Sequence, residues 1–363
     1  MPKMTFKNYF AYLSEPRTFG VDINDNEIKV FEIEKNKDKH KIVGWNKKRL
    51  PKGVVEDCEI VDKEKFSKIF FDAVENSEGK KLKGKAVVVS IPENKVFLRI
   101  INIPKMSEEE LGEAIKWEVE ANIPISVSEV YYDWQIVDRG KKEMKVLVAA
   151  SPRKVVDSLI STYEQIGYKV CVLEADSIAT GRSVLSDKDK RPVLLVDIGI
   201  EGAGYFIFSG GYPVFSSGGS ISGNLFTDAV SKYYELEWKK AEQFKMKMGL
   251  GTNKKEREEV FRVYSGLLST LVQEIEKTIN FYDENLSVND EKVEKVVLCG
   301  GGSNLRGLLP YLAIHLKRQV VQGSPWENVH LGKEIPPISK EEAQSYITVI
   351  GLALRDCQNG YFN

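Results

Sequence analysis

Residues Pro192 to Gly223 read PVLLVDIGIEGAGYFIFSGGYPVFSSGGSISG. The run Val193-Leu194-Leu195-Val196 is apolar at every position, as a buried strand is. It ends in Asp197-Ile198-Gly199, and the glycines at Gly202 and Gly204 make a tight turn into a returning strand, Tyr205 to Phe208. Gly210-Gly211 turns the chain again into Tyr212 to Phe215. A carboxylate on a strand end, followed by a glycine-rich turn, suits a phosphate with its metal. Bare backbone N–H groups approach the anion and the carboxylate holds Mg2+. An ordinary β-meander with glycine turns has the same pattern, so the rest of the chain must decide.

The chain has 363 residues, more than one typical core, so two or more domains are expected. Its 42% hydrophobic and 29% charged content fits a globular chain and argues against disorder. The formal net charge is -1 with Lys and Glu interspersed, which argues against a nucleic-acid partner. Runs such as Lys80-Lys81-Leu82-Lys83 read as solvated loops. Cys58, Cys171, Cys299 and Cys357 are far apart with no CxxC pair. Cys171 and Cys299 sit in apolar runs and read as buried thiols, which implies a reducing compartment. His40, His315 and His330 lie near no metal-ligand partner in the sequence, which argues against zinc. No run approaches the roughly 18 apolar residues that span a bilayer. The N-terminal segment, residues 1–18, lacks an apolar signal core. It carries Phe6, Tyr9, Phe10 and Leu13 at helical spacing, which predicts a short helix packed on its own domain or lying on a membrane surface.

Taken in order, Phe19 to Ile23, Ile28 to Ile33 and His40 to Trp45 predict three strands, the first two around Asn24-Asp25-Asn26. A helix from Asp62 with Phe66, Ile69, Phe70 and Val74 on one face stops near Gly79, and Lys85 to Ile91 is a central strand. Residues 92–168 change character and form a small β/α module. Val96 to Ile103 is a strand, and Ser107 and Glu110 make a capping box for a helix carrying Leu111, Ile115 and Val119. Glu129 to Val137 and Lys145 to Ala150 are strands, and a helix runs from Ser151-Pro152 to Ile166. Val170 to Leu173 and Asp176 to Leu185 follow as strand and helix, and the polar run Ser186 to Arg191 reads as a hinge.

Beyond the opening stretch, helices are predicted over Gly223 to Tyr234, Trp238 to Met248 and Val260 to Asp283. Val293 to Cys299 is a buried strand running into Gly300-Gly301-Gly302-Ser303. Leu305 to Lys317, Val320-Val321 and Tyr346 to Arg355 complete the chain as helix, short strand and helix. The two halves repeat one plan, with Asp22 and Asp197 in register at the ends of their first strands, which signals internal duplication.

Three motifs resemble the actin/Hsp70/sugar-kinase superfamily of nucleotide-binding proteins. Gly20-Val21-Asp22-Ile23 resembles its first phosphate loop, Leu195-Val196-Asp197-Ile198-Gly199 its second, and Val297-Leu298-Cys299-Gly300-Gly301-Gly302-Ser303 its adenosine motif. The module at 92–168 is inserted where FtsA and the PilM family of type IV pilus assembly proteins carry one. Ile103-Pro104-Lys105-Met106-Ser107 through Asn122-Ile123-Pro124, Asn280-Phe281-Tyr282 and Gly307-Leu308-Leu309-Pro310 resemble the PilM family in particular. The resemblance implies an α/β, actin-like ATPase fold of two ribonuclease-H-like halves with the nucleotide in the cleft between them. The first subdomain would be 19–91 with 169–190, the inserted module 92–168, the second subdomain 191–226 with 291–363, and a helical subdomain 227–290.

The resemblance also implies a site. Asp22 and Asp197 would hold Mg2+ through water, and Glu174 or Asp176 would orient an attacking water. Asn24, Lys29, Gly199, Gly202 and Gly223 would meet the phosphates of ATP. Glu274 and Lys277 would bracket the ribose and base, and Gly300, Gly301, Gly302 and Ser303 would let the chain approach the adenosine. By the residues alone, Glu274 and Lys277 read as an exposed i,i+3 ion pair, Lys29 as an edge lysine and Asp176 as a helix cap. The first loop departs from the family at Asn24-Asp25-Asn26-Glu27, where Asp25 and Glu27 put negative charge in the place of a triphosphate. Ile200-Glu201 departs in the second loop. At roughly 4 Å and an effective dielectric near 20, each such contact costs about 4 kcal/mol before screening. The expectation is weak or absent ATP turnover.

The family's partner is the N-terminal peptide of the membrane protein PilN. The resemblance implies that the peptide lies in a groove between the first block and the inserted module, to which the module supplies Ile101, Ile103 and Trp134, and that the chain thereby links the inner membrane indirectly to other pilus assembly proteins. An FtsA-like filament protein and a small-molecule kinase of the superfamily are the competing classes.

Overall fold

The computed structural model describes residues 17–36, 39–123, 125–251, 254–287 and 291–355. The expected N-terminal helix lies outside the described residues. Two compact units divide the chain. The first takes the described residues of 1–183, 326–337 and 348–363, and the second takes those of 184–325 and 338–347. Residues 326–337 and 348–355 thus group with the first unit. No helix among the described residues is long and apolar enough to cross a membrane.

The first unit opens with strands β1 (Thr18–Ile23), β2 (Glu27–Asn36) and β3 (Lys39–Arg49). The short strands β4 (Val55–Glu56) and β5 (Glu59–Ile60), helix α1 (Lys63–Glu75), β6 (Glu78–Gly79) and β7 (Ala86–Ile91) follow. Next come β8 (Phe97–Pro104), α2 (Glu108–Asn122), β9 (Val130–Arg139), β10 (Glu143–Pro152), α3 (Arg153–Gln165), β11 (Lys169–Ala175) and α4 (Asp176–Val184). The main sheet runs β11-β7-β1-β2-β3-β6. β1 pairs antiparallel with β2 and parallel with β7, which pairs parallel with β11.

All six residues of β7 are buried because its two faces feed two cores. Val87 and Val89 join Phe19, Val21, Phe66, Phe70, Leu159 and Tyr163 under α1 and α3. Ala86 and Val88 point to the opposite side, with Cys171, Ala179 and Leu352. On that side backbones come close. A Cβ at Gly20 would lie 2.6 Å from the Val349 carbonyl oxygen, and one at Gly351 would overlap the Ala179 carbonyl. These glycines dock the last helix on the sheet and on α4. Arg182 adds a hydrogen bond to the Gly351 oxygen, 3.0 Å, and His40 exchanges two hydrogen bonds with the backbone of His330. Such contacts draw 326–337 and 348–355 into the first unit. Cys171 is disulfide-bonded, so the expectation of a thiol there does not hold, whereas Cys58 and Cys299 are free.

The inserted module is a three-stranded antiparallel sheet, β8-β10-β9, with α2 across one face. The expected capping box forms. Glu110 N donates to Ser107 Oγ at 3.3 Å, and Ser107 N to Glu110 Oε2 at 3.0 Å.

The second unit contains β12 (Val193–Ile198), β13 (Ala203–Ser209), β14 (Tyr212–Gly219), α5 (Gly223–Tyr234), α6 (Trp238–Met248) and α7 (Lys254–Asn285). β15 (Lys295–Cys299), α8 (Leu308–Leu316), β16 (Gln319–Gln322) and α9 (Lys340–Ala343) follow, and α10 (Ile347–Ala353) closes the described chain, its residues from 348 onward in the first unit. The sheet order is β14-β13-β12-β15-β16. Apart from the two-residue edge strand β6, the main sheet of the first unit has the same plan, β3-β2-β1-β7-β11: three consecutive antiparallel strands, then two later strands added parallel beside the first. The duplication expected from the two aspartate turns is thus repeated in topology. The apolar run 193–196 serves two cores. Leu194 and Val196 pack with Tyr264, Leu268, Leu271, Ile275 and Ile279 of α7, and Val193 and Leu195 with Val184, Phe206, Val297 and Ile347.

Candidate functional site

Each unit carries a candidate half-site where its first strand ends. In the first unit the turn after β1 is built from Asn24. Its Oδ1 accepts the N–H groups of Asn26 and Glu27, both at 3.0 Å, and its own N–H donates to the Glu27 oxygen at 3.1 Å. Asp25 turns away from this loop. Its carboxylate accepts the backbone amides of Asp57 at 3.0 Å and Cys58 at 2.9 Å. Both donors have positive φ, 51° and 64°, so two successive amides converge as in an anion-binding nest. The chain's own carboxylate fills that nest. Burial, then Asp25, pushes the Cys58 thiol up to about 12.

Asp22 and Lys29 are opposite one another in the β1–β2 register. Lys29 Nζ lies 3.2 Å from Asp22 Oδ2 and 2.9 Å from Glu27 Oε1, and all three side chains are largely buried. Ser90 Oγ donates to Asp22 Oδ1 at 2.9 Å and accepts the Ile23 amide at 3.3 Å. Burial, and secondarily Asp22, raises the pKa of the Tyr163 phenol. One ammonium thus sits between two carboxylates, and the expected like-charge obstacle takes a different form. Glu27 is neutralised by Lys29, and Asp25 is tied to the nest.

Glu174 is the next-to-last residue of β11 and is 4% exposed. Arg182 binds it through both guanidinium ends, at 2.6 and 2.5 Å, and Arg355 lies 3.8 Å away. Its oxygens are engaged in an ion pair that ties β11 to α4. Asp176 is the first residue of α4, within the electrostatic reach of Cys58.

In the second unit Asp197 is the next-to-last residue of β12, opposite Gly204 on β13 and Cys299 on β15. The triple-glycine turn comes to it as expected. Gly300 has φ 76°, and a Cβ there would overlap the Asp197 carboxylate. A Cβ at Gly302 would overlap Ile198, whereas Gly301 meets only Ser345 at 3.9 Å. Burial, then Asp197, holds the Cys299 thiol well above its ordinary range. Ser303 is buried and its Oγ donates to the Gly300 oxygen, 2.7 Å.

The loop after Asp197 is closed by its own amides. Gly199 N donates to Gly202 O at 2.8 Å, Gly223 N to Gly199 O at 2.9 Å, and Asn224 N to Ile200 O at 3.0 Å. Ser222 caps α5 through Leu225 N at 3.2 Å. The Gly199 and Gly223 amides expected to face phosphate are therefore bonded within the chain. Glu274 accepts from Tyr205 Oη at 2.6 Å, Ser220 N at 3.2 Å and Ser220 Oγ at 3.1 Å. Lys277 is exposed and lines a surface depression with Glu276, Asn280 and Phe281.

A magnesium nucleotide does not fit these residues well. A phosphate cradle needs free backbone donors and a carboxylate free for the metal. In the first turn the amides of Asn24, Asn26 and Glu27 are satisfied by the turn itself, those of Asp57 and Cys58 by Asp25, and Asp22 is held by Lys29 and Ser90.

The module's groove residues are also placed differently from expectation. Ile101 and Ile103, 9% and 2% exposed, pack under α2 with Leu111, Ile115 and Val119, and Trp134 is half-buried against the same cluster. They form the module's own core, because the helix takes the sheet face with the larger apolar set. The opposite face carries half-buried Leu98 and Ile100, the latter paired with Leu147. The period-2 alternation of β8 separates these two sets and is the signal that distinguishes them. Ser90, Arg182 and the Asp57–Cys58 nest were invisible to motif reading, since each acts through contacts distant in sequence.

Comparison with known proteins agrees with this architecture. The family model described as type IV pilus assembly protein PilM matches residues 20–357. A solved PilM–PilN type IV pilus biogenesis complex aligns at a TM-score of 0.75 and 24% identity, covering 93% of this chain and 97% of that one. The ethanolamine utilization protein EutJ from Carboxydothermus hydrogenoformans aligns at a TM-score of 0.55 and 15% identity, covering 94% and 90%. These likenesses show a shared actin-like fold.

Proposed function

The chain belongs to the PilM family of type IV pilus assembly proteins, and from that membership we propose that it is a cytoplasmic docking scaffold without appreciable ATP turnover. Its partner is the N-terminal peptide of PilN, through which it is held at the inner membrane and joined to other pilus assembly proteins. The match over residues 20–357 carries this reading. Neither hairpin is proposed to perform phosphoryl transfer, because their amides and Asp22 are committed inside the chain.

The peptide lies against the face of the module sheet that α2 leaves, over Leu98 and Ile100. An extended apolar peptide needs a half-exposed apolar strip and, at a sheet edge, backbone groups to pair with. β8 supplies both, being an edge strand of its sheet. Affinity capture of PilN by the intact chain, compared with a Leu98→Asp, Ile100→Asp variant, tests this. Capture by the first and loss with the second supports the reading. Equal capture by both moves the peptide elsewhere, and capture by neither removes the function.

A further inference from the structure

Two exposed helix faces of opposite charge have matching spacing. On α2, Glu110, Glu113, Trp117 and Glu120 follow at intervals of three, four and three residues and so form one stripe. The stripe is exposed, while Leu111, Ile115 and Val119 on the other side are buried in the module. Trp117 is 67% exposed. A tryptophan presented on a helix face is the residue type that anchors protein interfaces. Glu113 and Glu120 have no ion-pair partner among the described residues. After burial, they are what raises the pKa of the nearby Tyr132 phenol.

On α6, Lys239, Lys240, Gln243, Met246 and Lys247 make the exposed face, with Met246 71% exposed and Ala241 buried beneath. Lys245 is not part of it, since its ammonium is spent on Glu242 at 2.7 Å and the Gly223 oxygen at 3.0 Å. Glu113 and Glu120 are seven residues apart, as are Lys240 and Lys247, which puts each pair about 10.5 Å apart along its helix. Laid antiparallel, Glu113 meets Lys247 and Glu120 meets Lys240. Trp117 then falls between them, against Gln243 and the Met246 thioether, a favourable sulfur–aromatic pairing.

We propose that the α2 face of one copy of this chain docks on the α6 face of a second copy. The contact joins two different surfaces of the chain, one on each copy. Pairing α2 with α2, or α6 with α6, sets like charges together and is disfavoured. The proposal stands apart from the peptide-docking reading and is not altered by its outcome.

Sedimentation velocity of the intact chain tests it, with Glu113→Lys, Glu120→Lys as one variant and Lys240→Glu, Lys247→Glu as the other. The wild type is expected to associate with rising concentration, less so as salt shortens the Debye length from about 10 Å at 0.1 M to about 3 Å at 1 M. Each variant alone should associate more weakly, on the order of tenfold, because both charge pairs become repulsive. An equimolar mixture of the two should associate again, since every α2–α6 pairing between them is opposite in sign. Trp117→Ala, which changes no charge, should also weaken association. A wild type that stays monomeric at low salt overturns the proposal, as do reversed variants that associate like the wild type or a mixture that does not recover. Circular dichroism confirms that the variants are folded.

Discussion

Lys29 Nζ lies 3.2 Å from Asp22 Oδ2, across the antiparallel pair that opens the chain. The lysine that sequence reading assigned to phosphate is the counter-ion of the aspartate it assigned to the metal. The pairing follows from the short turn, which sets Asp22 opposite Lys29 in register and brings Glu27 within 2.9 Å of the same ammonium. Two positions that would serve a nucleotide serve each other.

Removing that ammonium should be costly. Lys29→Met leaves two largely buried carboxylates facing each other, and breaking a buried pair from one side costs about 3 kcal/mol. Urea denaturation should show the loss. The triple variant Lys29→Met, Asp22→Asn, Glu27→Gln should recover most of it, because no uncompensated charge remains. Unchanged stability in the single variant would contradict the buried pair.

The Asp25 carboxylate holds the amides of Asp57 and Cys58. Asp25→Ala should therefore cost about 1–2 kcal/mol by leaving those donors without their acceptor. Calorimetric titration of the wild type with Mg·ATP should give no saturable heat, and no phosphate should be released. Tight binding with turnover would refute the reading of the first turn as internally satisfied.

Two glycines should respond in opposite directions to alanine. At Gly351 a Cβ overlaps the Ala179 carbonyl, and relieving it requires two packed backbones to separate, at about 3 kcal/mol. At Gly112, within α2, a Cβ meets nothing within 4 Å, so alanine should stabilise by about 0.5–1 kcal/mol through helix propensity. Thermal denaturation of the two variants separates these outcomes.

His40 Nδ1 accepts the His330 amide at 2.9 Å, and burial, then His330 and Lys35, lowers its pKa. The neutral ring is the form favoured by folding. Its contribution is present above the ordinary imidazole value of about 6.5 and is lost as pH falls through the lowered folded value. Denaturation midpoints should drop over that window in the wild type. His40→Gln, which keeps an acceptor and does not titrate, should flatten the drop.

Much of the architecture was legible in the sequence. The apolar run 193–196 and the two aspartate turns led to a duplicated sheet, and five strands of each unit follow the same plan. Helices α5 and α6 begin and end where periodicity placed them, and Ser107 and Glu110 cap as their spacing required. Side-chain employment was not legible. Periodicity showed that Ile101 and Ile103 are apolar and on one face, but α2 decides that this face is core. Motif spacing put Glu174 at a strand end, but Arg182, eight residues on, determines what it does. Asp25 was read as a charge within its loop, yet its partners are the amides of residues 57 and 58. The packing of the last helix on the first unit joins positions as distant as Gly20 and Val349. Such pairings leave no local signal.

The measurement that bears most directly on the account is a calorimetric titration of the intact chain with the PilN N-terminal peptide, run with and without Mg·ATP. Saturable one-to-one binding is expected with the same dissociation constant in both conditions, because docking belongs to the module and the hairpins are satisfied within the chain. Absence of binding, or binding that requires Mg·ATP, would contradict it.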